Sequence, residues 1–77
     1  MSRVVRIRLR IEAMDIGDRL RVQEGRWMYD GVELLAFDAS RQLKWEGPGH
    51  NAHVEARMVE TEAVALLLAG AELEIFS

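Results

Sequence analysis

Apolar and charged positions alternate without a break over residues 5–12: Val5, Ile7, Leu9 and Ile11 against Arg6, Arg8, Arg10 and Glu12. A period of two sends the first set to one face of a strand and the second to the other. The pattern predicts a strand over Val4–Glu12 with a guanidinium row on its polar side. A loop, "AMDIGD", follows.

The next stretch, "RLRVQEGRWMYDGVELLAFD", holds two X-Gly pairs, Glu24-Gly25 and Asp30-Gly31, each between short β-prone runs. Such pairs suit type I′ hairpin turns, which need positive φ at both centres. If both loops have two residues, Val22 faces Trp27, Leu20 faces Tyr29, Tyr29 faces Val32 and Trp27 faces Leu34. One face of a meander then collects Leu20, Val22, Trp27, Tyr29, Val32, Leu34 and Ala36. Arg19, Arg21, Gln23, Arg26, Met28, Glu33, Leu35 and Phe37 take the other. The two turn assignments agree on one apolar face, which fixes the register.

"ASRQLKWE" suggests a turn and a further short strand, Arg41 to Glu46. "GPGHN", with the only proline, is an irregular loop. The tail admits two readings. In one, His53 to Val59 is a strand with Val54, Ala56 and Met58 inward. Thr61 then caps a short helix, "EAVALLLA", which Gly70 ends. In the other, a single helix runs from about residue 52 to 69, with Ala52, Ala56, Val59, Ala63, Leu66 and Leu67 on one stripe. The first is preferred, because Thr61-Glu62 is a good helix start and Val54 and Val59 are strand-prone. "AELEIFS" closes the chain as a strand, with Ala71, Leu73 and Ile75 on one face. The expected fold is α+β: one small antiparallel sheet of five or six strands with one short helix near the C-terminus. That helix is apolar nearly all round and should be well covered.

Composition changes the picture in three places. Seventy-seven residues make one domain, 1–77, with a modest core, and small chains often gain stability from a partner. Cysteine is absent, which excludes disulfides and thiolate metal sites. The net charge of −3 is unevenly spread: residues 1–45 hold nine Arg/Lys and seven Asp/Glu, and residues 46–77 hold one Arg and six Glu. A basic front and an acidic back can attract each other within one fold or between two copies of it. No secretory signal is visible in "MSRVVRIRLR", and the longest apolar run, Ala63 to Ala69, is far short of a membrane span. A soluble, cytoplasmic protein is expected.

Arg6, Arg8 and Arg10 form a basic stripe, extended by Arg19 and Arg21 if strands one and two are neighbours. Guanidinium forks hold phosphates and carboxylates bidentately. The plainer reading is a solvated sheet face, neutralised by Glu72 and Glu74 if the closing strand lies beside the first. A negative net charge and the lack of aromatics interleaved with the arginines weigh against nucleic acid. Catalysis finds little support. Two of the three serines lie at the termini, no nucleophile elbow is present, and no glycine motif cradles a phosphate. His50 and His53, three apart, lack further ligands fixed by spacing, so no metal or cofactor is expected. Trp45, beside the Gly-Pro-Gly loop, has the composition of an interaction hot spot. Met28, Leu35 and Phe37 on the outer meander face call for a cover: the helix, a second subunit or a foreign protein.

These features lead to a non-enzymatic protein–protein interaction module, such as an accessory subunit or a phage-type inhibitor that blocks a larger complex. Arg6, Arg8, Arg10, Arg19, Arg21, Phe37 and Trp45 would contact the partner, a protein with an acidic surface or a second copy of the chain. The alternative is nucleic-acid binding through the arginine face.

Overall fold

The structure, a computed structural model, describes residues 2–43 and 51–76, and of Asn51 the backbone alone. The strand expected at the front is present as β1 (Val4–Glu12), with Val5, Ile7, Leu9 and Ile11 buried and Arg6 and Arg8 exposed. Next come β2 (Leu20–Gln23), β3 (Arg26–Tyr29) and β4 (Val32–Glu33). Glu24, Gly25, Asp30 and Gly31 have φ of 54°, 74°, 48° and 80°, as type I′ hairpin turns require. The register follows: Leu20 opposes Tyr29, Val22 opposes Trp27 and Tyr29 opposes Val32. Leu20, Tyr29 and Leu34 are buried, whereas Val22, next to the first turn, is 56% exposed.

The single sheet is not formed. Six strands divide into two antiparallel sheets, β2-β3-β4 and β5-β1-β6, where β5 is Asn51–Val59 and β6 is Leu73–Phe76. The cause lies between β1 and β2. A 3₁₀ turn at Ala13–Asp15 is followed by Gly17 at φ 83°, whose N–H bonds the Leu20 carbonyl. The chain swings out of the β1 plane there, and the places beside β1 pass to β5 and β6. Both flanking strands derive from the tail, where Val54, Ala56 and Met58 point inward as expected and are buried. The strand reading of residues 53–59 therefore holds, and the single long helix does not.

α1 (Ala39–Gln42) replaces the start of the strand expected at Arg41; residues 44–46 of that strand lie outside the described residues. Asp38 is the reason. Its carboxylate accepts from the Ser40 N–H at 3.1 Å and the Ser40 hydroxyl at 2.6 Å, an N-cap that turns the chain into a helical turn. The same bonds hold the Asp38 carboxyl below its ordinary pKa, the Ser40 hydroxyl first.

α2 (Glu60–Leu68) starts one residue before Thr61. Its first donors are satisfied by the N-terminal segment instead of by a Thr61 cap: Glu60 N–H bonds the Arg3 carbonyl at 2.8 Å, and Thr61 N–H bonds Ser2 Oγ at 3.1 Å. Glu60 and Glu62 in the first turn suit the positive end of the helix dipole. Gly70, at φ 100°, closes the helix: its N–H bonds Leu67 and the Ala71 N–H bonds Leu66, the Schellman pair. The helix is less well covered than its apolar composition suggests. Ala63 and Leu66 are buried, but Val64, Leu67 and Leu68 are 42%, 40% and 85% exposed. The two sheets and α2 share one core built on Ile7, Leu9 and Ile11, leaving the far side of the β5-β1-β6 sheet in solvent.

Candidate functional site

That solvent-facing side reads as rows across three strands. Arg6 lies between Arg57 on β5 and Phe76 on β6; Arg8 lies between Glu55 and Glu74. Arg10 opposes His53 and reaches Glu72 Oε2 at 3.3 Å and Glu12 Oε1 at 3.2 Å. Opposite charges thus flank Arg8 and Arg10, and the basic front meets the acidic back within one fold. Arg3 and Glu60, 3.0 Å apart, add to the same pattern.

The Arg6 row differs. Two guanidinium side chains stand directly opposite each other, an arrangement that costs stability unless an anion lies between them. Among the described residues neither Arg6 nor Arg57 forms an ion pair. The Arg6 guanidinium carbon lies 5.8 Å from the centre of the Phe76 ring, a cation–π contact that holds the fork over an exposed aromatic. Arg6, Arg57, Glu55, Phe76, Gln42 and Ala36 line an open depression of ≈ 350 Å³. The two guanidinium forks outnumber the one carboxylate there and can offer planar donor pairs to a further carboxylate, with the Phe76 ring beside them.

A second depression, of ≈ 390 Å³, lies between Arg10, Asp15, Arg19, Tyr29 and Glu72. Its charges are already matched, with Arg19 Nε 4.0 Å from Asp15 Oδ1. The buried Tyr29 phenol sits at its base. Burial raises its pKa above the ordinary tyrosine value, the negative Asp15 and Asp30 add to that, and the Arg19 guanidinium opposes it.

The arginine stripe of five residues is not assembled. Arg6, Arg8 and Arg10 share a face; β2 is not a neighbour of β1, so Arg21 does not extend it, and Arg19 lines the second depression with Arg10. Arg21 is exposed on the other sheet, opposite Met28. Phe37 does not lie on an open outer face. β4 ends at Glu33, and Phe37 folds back with its ring edge-on to Trp27, centroids 5.4 Å apart. Leu35 remains 45% exposed, and its N–H bonds the Arg57 carbonyl at 2.7 Å. Trp45 and His50 lie outside the described residues. His53 is exposed opposite Arg10, and among the described residues no group of three or more His, Asp or Glu side chains converges. Arg57 was not singled out from the sequence. Its outward direction follows from the inward Ala56 and Met58, but its place beside Arg6 depends on the β1–β5 pairing, which local periodicity does not contain.

The chain matches no protein-family model, no curated protein and no solved structure. No described helix is long and apolar enough to cross a membrane.

Proposed function

We propose that this chain is a small non-enzymatic protein–protein interaction module, an accessory subunit or a phage-type inhibitor that binds and blocks a larger protein complex. The supporting observation is the cross-strand pair Arg6–Arg57 beside Phe76. It is an unneutralised fork pair on an otherwise balanced face. A partner protein presents an acidic side chain to this pair and covers Phe76. Charge steers the encounter, and the aromatic contributes buried area. Arg8 and Arg10 orient the approach, and Trp45 adds to the contact. Glu55, Glu74 and Glu72 interleave with the arginines, which suits a discrete carboxylate better than a continuous phosphate backbone.

Immobilised protein captures the partner, and Arg57→Glu abolishes capture while circular dichroism stays normal and the melting temperature does not fall. Trp45→Ala weakens it. A nonspecific duplex oligonucleotide does not bind at low salt. Oligonucleotide binding that falls steeply with added salt, combined with capture unaffected by Arg57→Glu, would replace this reading with the nucleic-acid alternative.

A further inference from the structure

The two edges of the β5-β1-β6 sheet are finished differently. At the β5 edge, Leu35 N–H bonds the Arg57 carbonyl, and the Gln42 side chain takes both backbone groups of Glu55. At the β6 edge, no described residue outside the sheet bonds the backbone of Leu73–Phe76. The Arg10 N–H reaches the Glu72 carbonyl at 2.9 Å. Antiparallel ladders alternate, so Glu72, Glu74 and Phe76 turn their backbone groups to β1, and Leu73 and Ile75 turn theirs outward. Such an edge is a template for another strand.

We infer that β6 pairs antiparallel with β6 of a second copy, joining two sheets into one of six strands about a two-fold axis. Charge selects the register. Centring on Glu74 sets two Glu74 carboxylates directly opposite each other. Centring on Leu73 sets Glu74 against Glu72. Both are like-charge pairs. Centring on Ile75 opposes Glu74 to Phe76 of the partner subunit, with Arg6 over that ring's counterpart in each copy. One row then reads Arg57, Arg6, Phe76, Glu74 of the partner subunit, so that a carboxylate and a guanidinium flank the same aromatic. On the inner face the half-buried Ile75 meets its own copy and completes its burial.

A four-residue strand falls short of the roughly 1,000 Å² that a specific interface needs. α2 supplies the rest. It leads into β6 through Gly70 and leaves Val64, Leu67 and Leu68 exposed. A two-fold axis perpendicular to the joined sheet keeps both α2 helices on the same side, so that their exposed apolar residues are available to extend the contact. The dimer and the acid-binding pair share Phe76 but are read separately: the mass reports the first, and partner capture by Arg57→Glu, which leaves the β6 edge unaltered, reports the second.

The lack of cysteine allows a direct test. Glu74→Cys and Phe76→Cys chains, mixed in equal amounts and oxidised, form a disulfide-linked dimer, whereas each alone stays uncross-linked. In the Ile75-centred register these positions form a non-hydrogen-bonded pair with Cα atoms about 4.5 Å apart, within disulfide reach. Light scattering of the unaltered chain gives twice the monomer mass. Ile75→Pro, which removes an outward N–H, gives the monomer mass with an unchanged circular dichroism spectrum. A monomer mass from micromolar to millimolar concentration overturns the inference. So does cross-linking of the Glu74→Cys chain with itself, or a dimer that survives Ile75→Pro.

Discussion

The side-chain amide of Gln42 pairs with both backbone groups of Glu55: Nε2 donates to the carbonyl, and the Glu55 N–H donates to Oε1. A carboxamide offers a donor and an acceptor as a peptide unit does, so Gln42 adds one rung to the ladder at the β5 edge. The Asp38 cap makes this possible by winding Ala39–Gln42 into the turn that delivers the side chain there. Gln42→Ala removes both bonds from an edge that no described strand flanks. The expected loss is about 1–2 kcal/mol, seen as a lower urea midpoint at unchanged slope. Gln42→Glu loses as much or more, because a carboxylate faces the Glu55 carbonyl without a proton to share.

Arg57→Glu separates folding from binding. In the free protein Arg57 opposes Arg6, so reversing its charge replaces a repulsive cross-strand pair with an attractive one. Stability should rise by up to about 1 kcal/mol, given that both side chains are exposed. Partner capture should fall at the same time. A residue kept for structure alone would not show this opposition. Thermal denaturation and capture, measured on the same preparation, check both signs.

The sequence carried the local geometry well and the long-range pairing poorly. β1 and the two hairpins were legible because their determinants lie within a few residues: strict alternation, and an X-Gly pair at each turn. The β1–β6 neighbourhood could be suggested from the matched spacing of Arg8 and Arg10 with Glu72 and Glu74. The split into two sheets was not legible. It depends on a 3₁₀ turn and Gly17 directing the chain out of the plane, and alternation says nothing about which strand takes the vacated place. Phe37 departs from the expected outer face for a related reason: β4 stops at Glu33, and period-two alternation does not apply beyond it. Arg57 emerged only once β5 was set beside β1.

The hairpin glycines give a prediction in which sterics and backbone conformation separate. A Cβ built on Gly25 or Gly31 meets no atom within 4 Å, so nothing blocks a side chain there. Both residues nevertheless sit at positive φ, 74° and 80°. Gly31→Ala should therefore cost about 1–2 kcal/mol from backbone strain alone. Asp30→Gly, at φ 48°, should be nearly neutral, since glycine adopts that conformation freely. Hydrogen exchange should show faster opening of β3 and β4 in the first variant and little change in the second.

Tyr29 should make stability fall at alkaline pH. It is 2% exposed, and burial above all raises its pKa over the ordinary value of 10.0. A raised value means that the folded state retains a proton the unfolded chain has already released. Stability from this group is complete below pH 10.0 and is lost as the pH climbs through the higher folded value. The chain has one tyrosine, one lysine and no cysteine, so few other groups titrate in that window. Urea midpoints should fall above that pH, and the phenolate absorbance should appear together with unfolding instead of before it. Tyr29→Phe removes the ionisable phenol, and its urea midpoint should stay level across the same alkaline range. Equal alkaline slopes in the two proteins would place the sensitivity elsewhere.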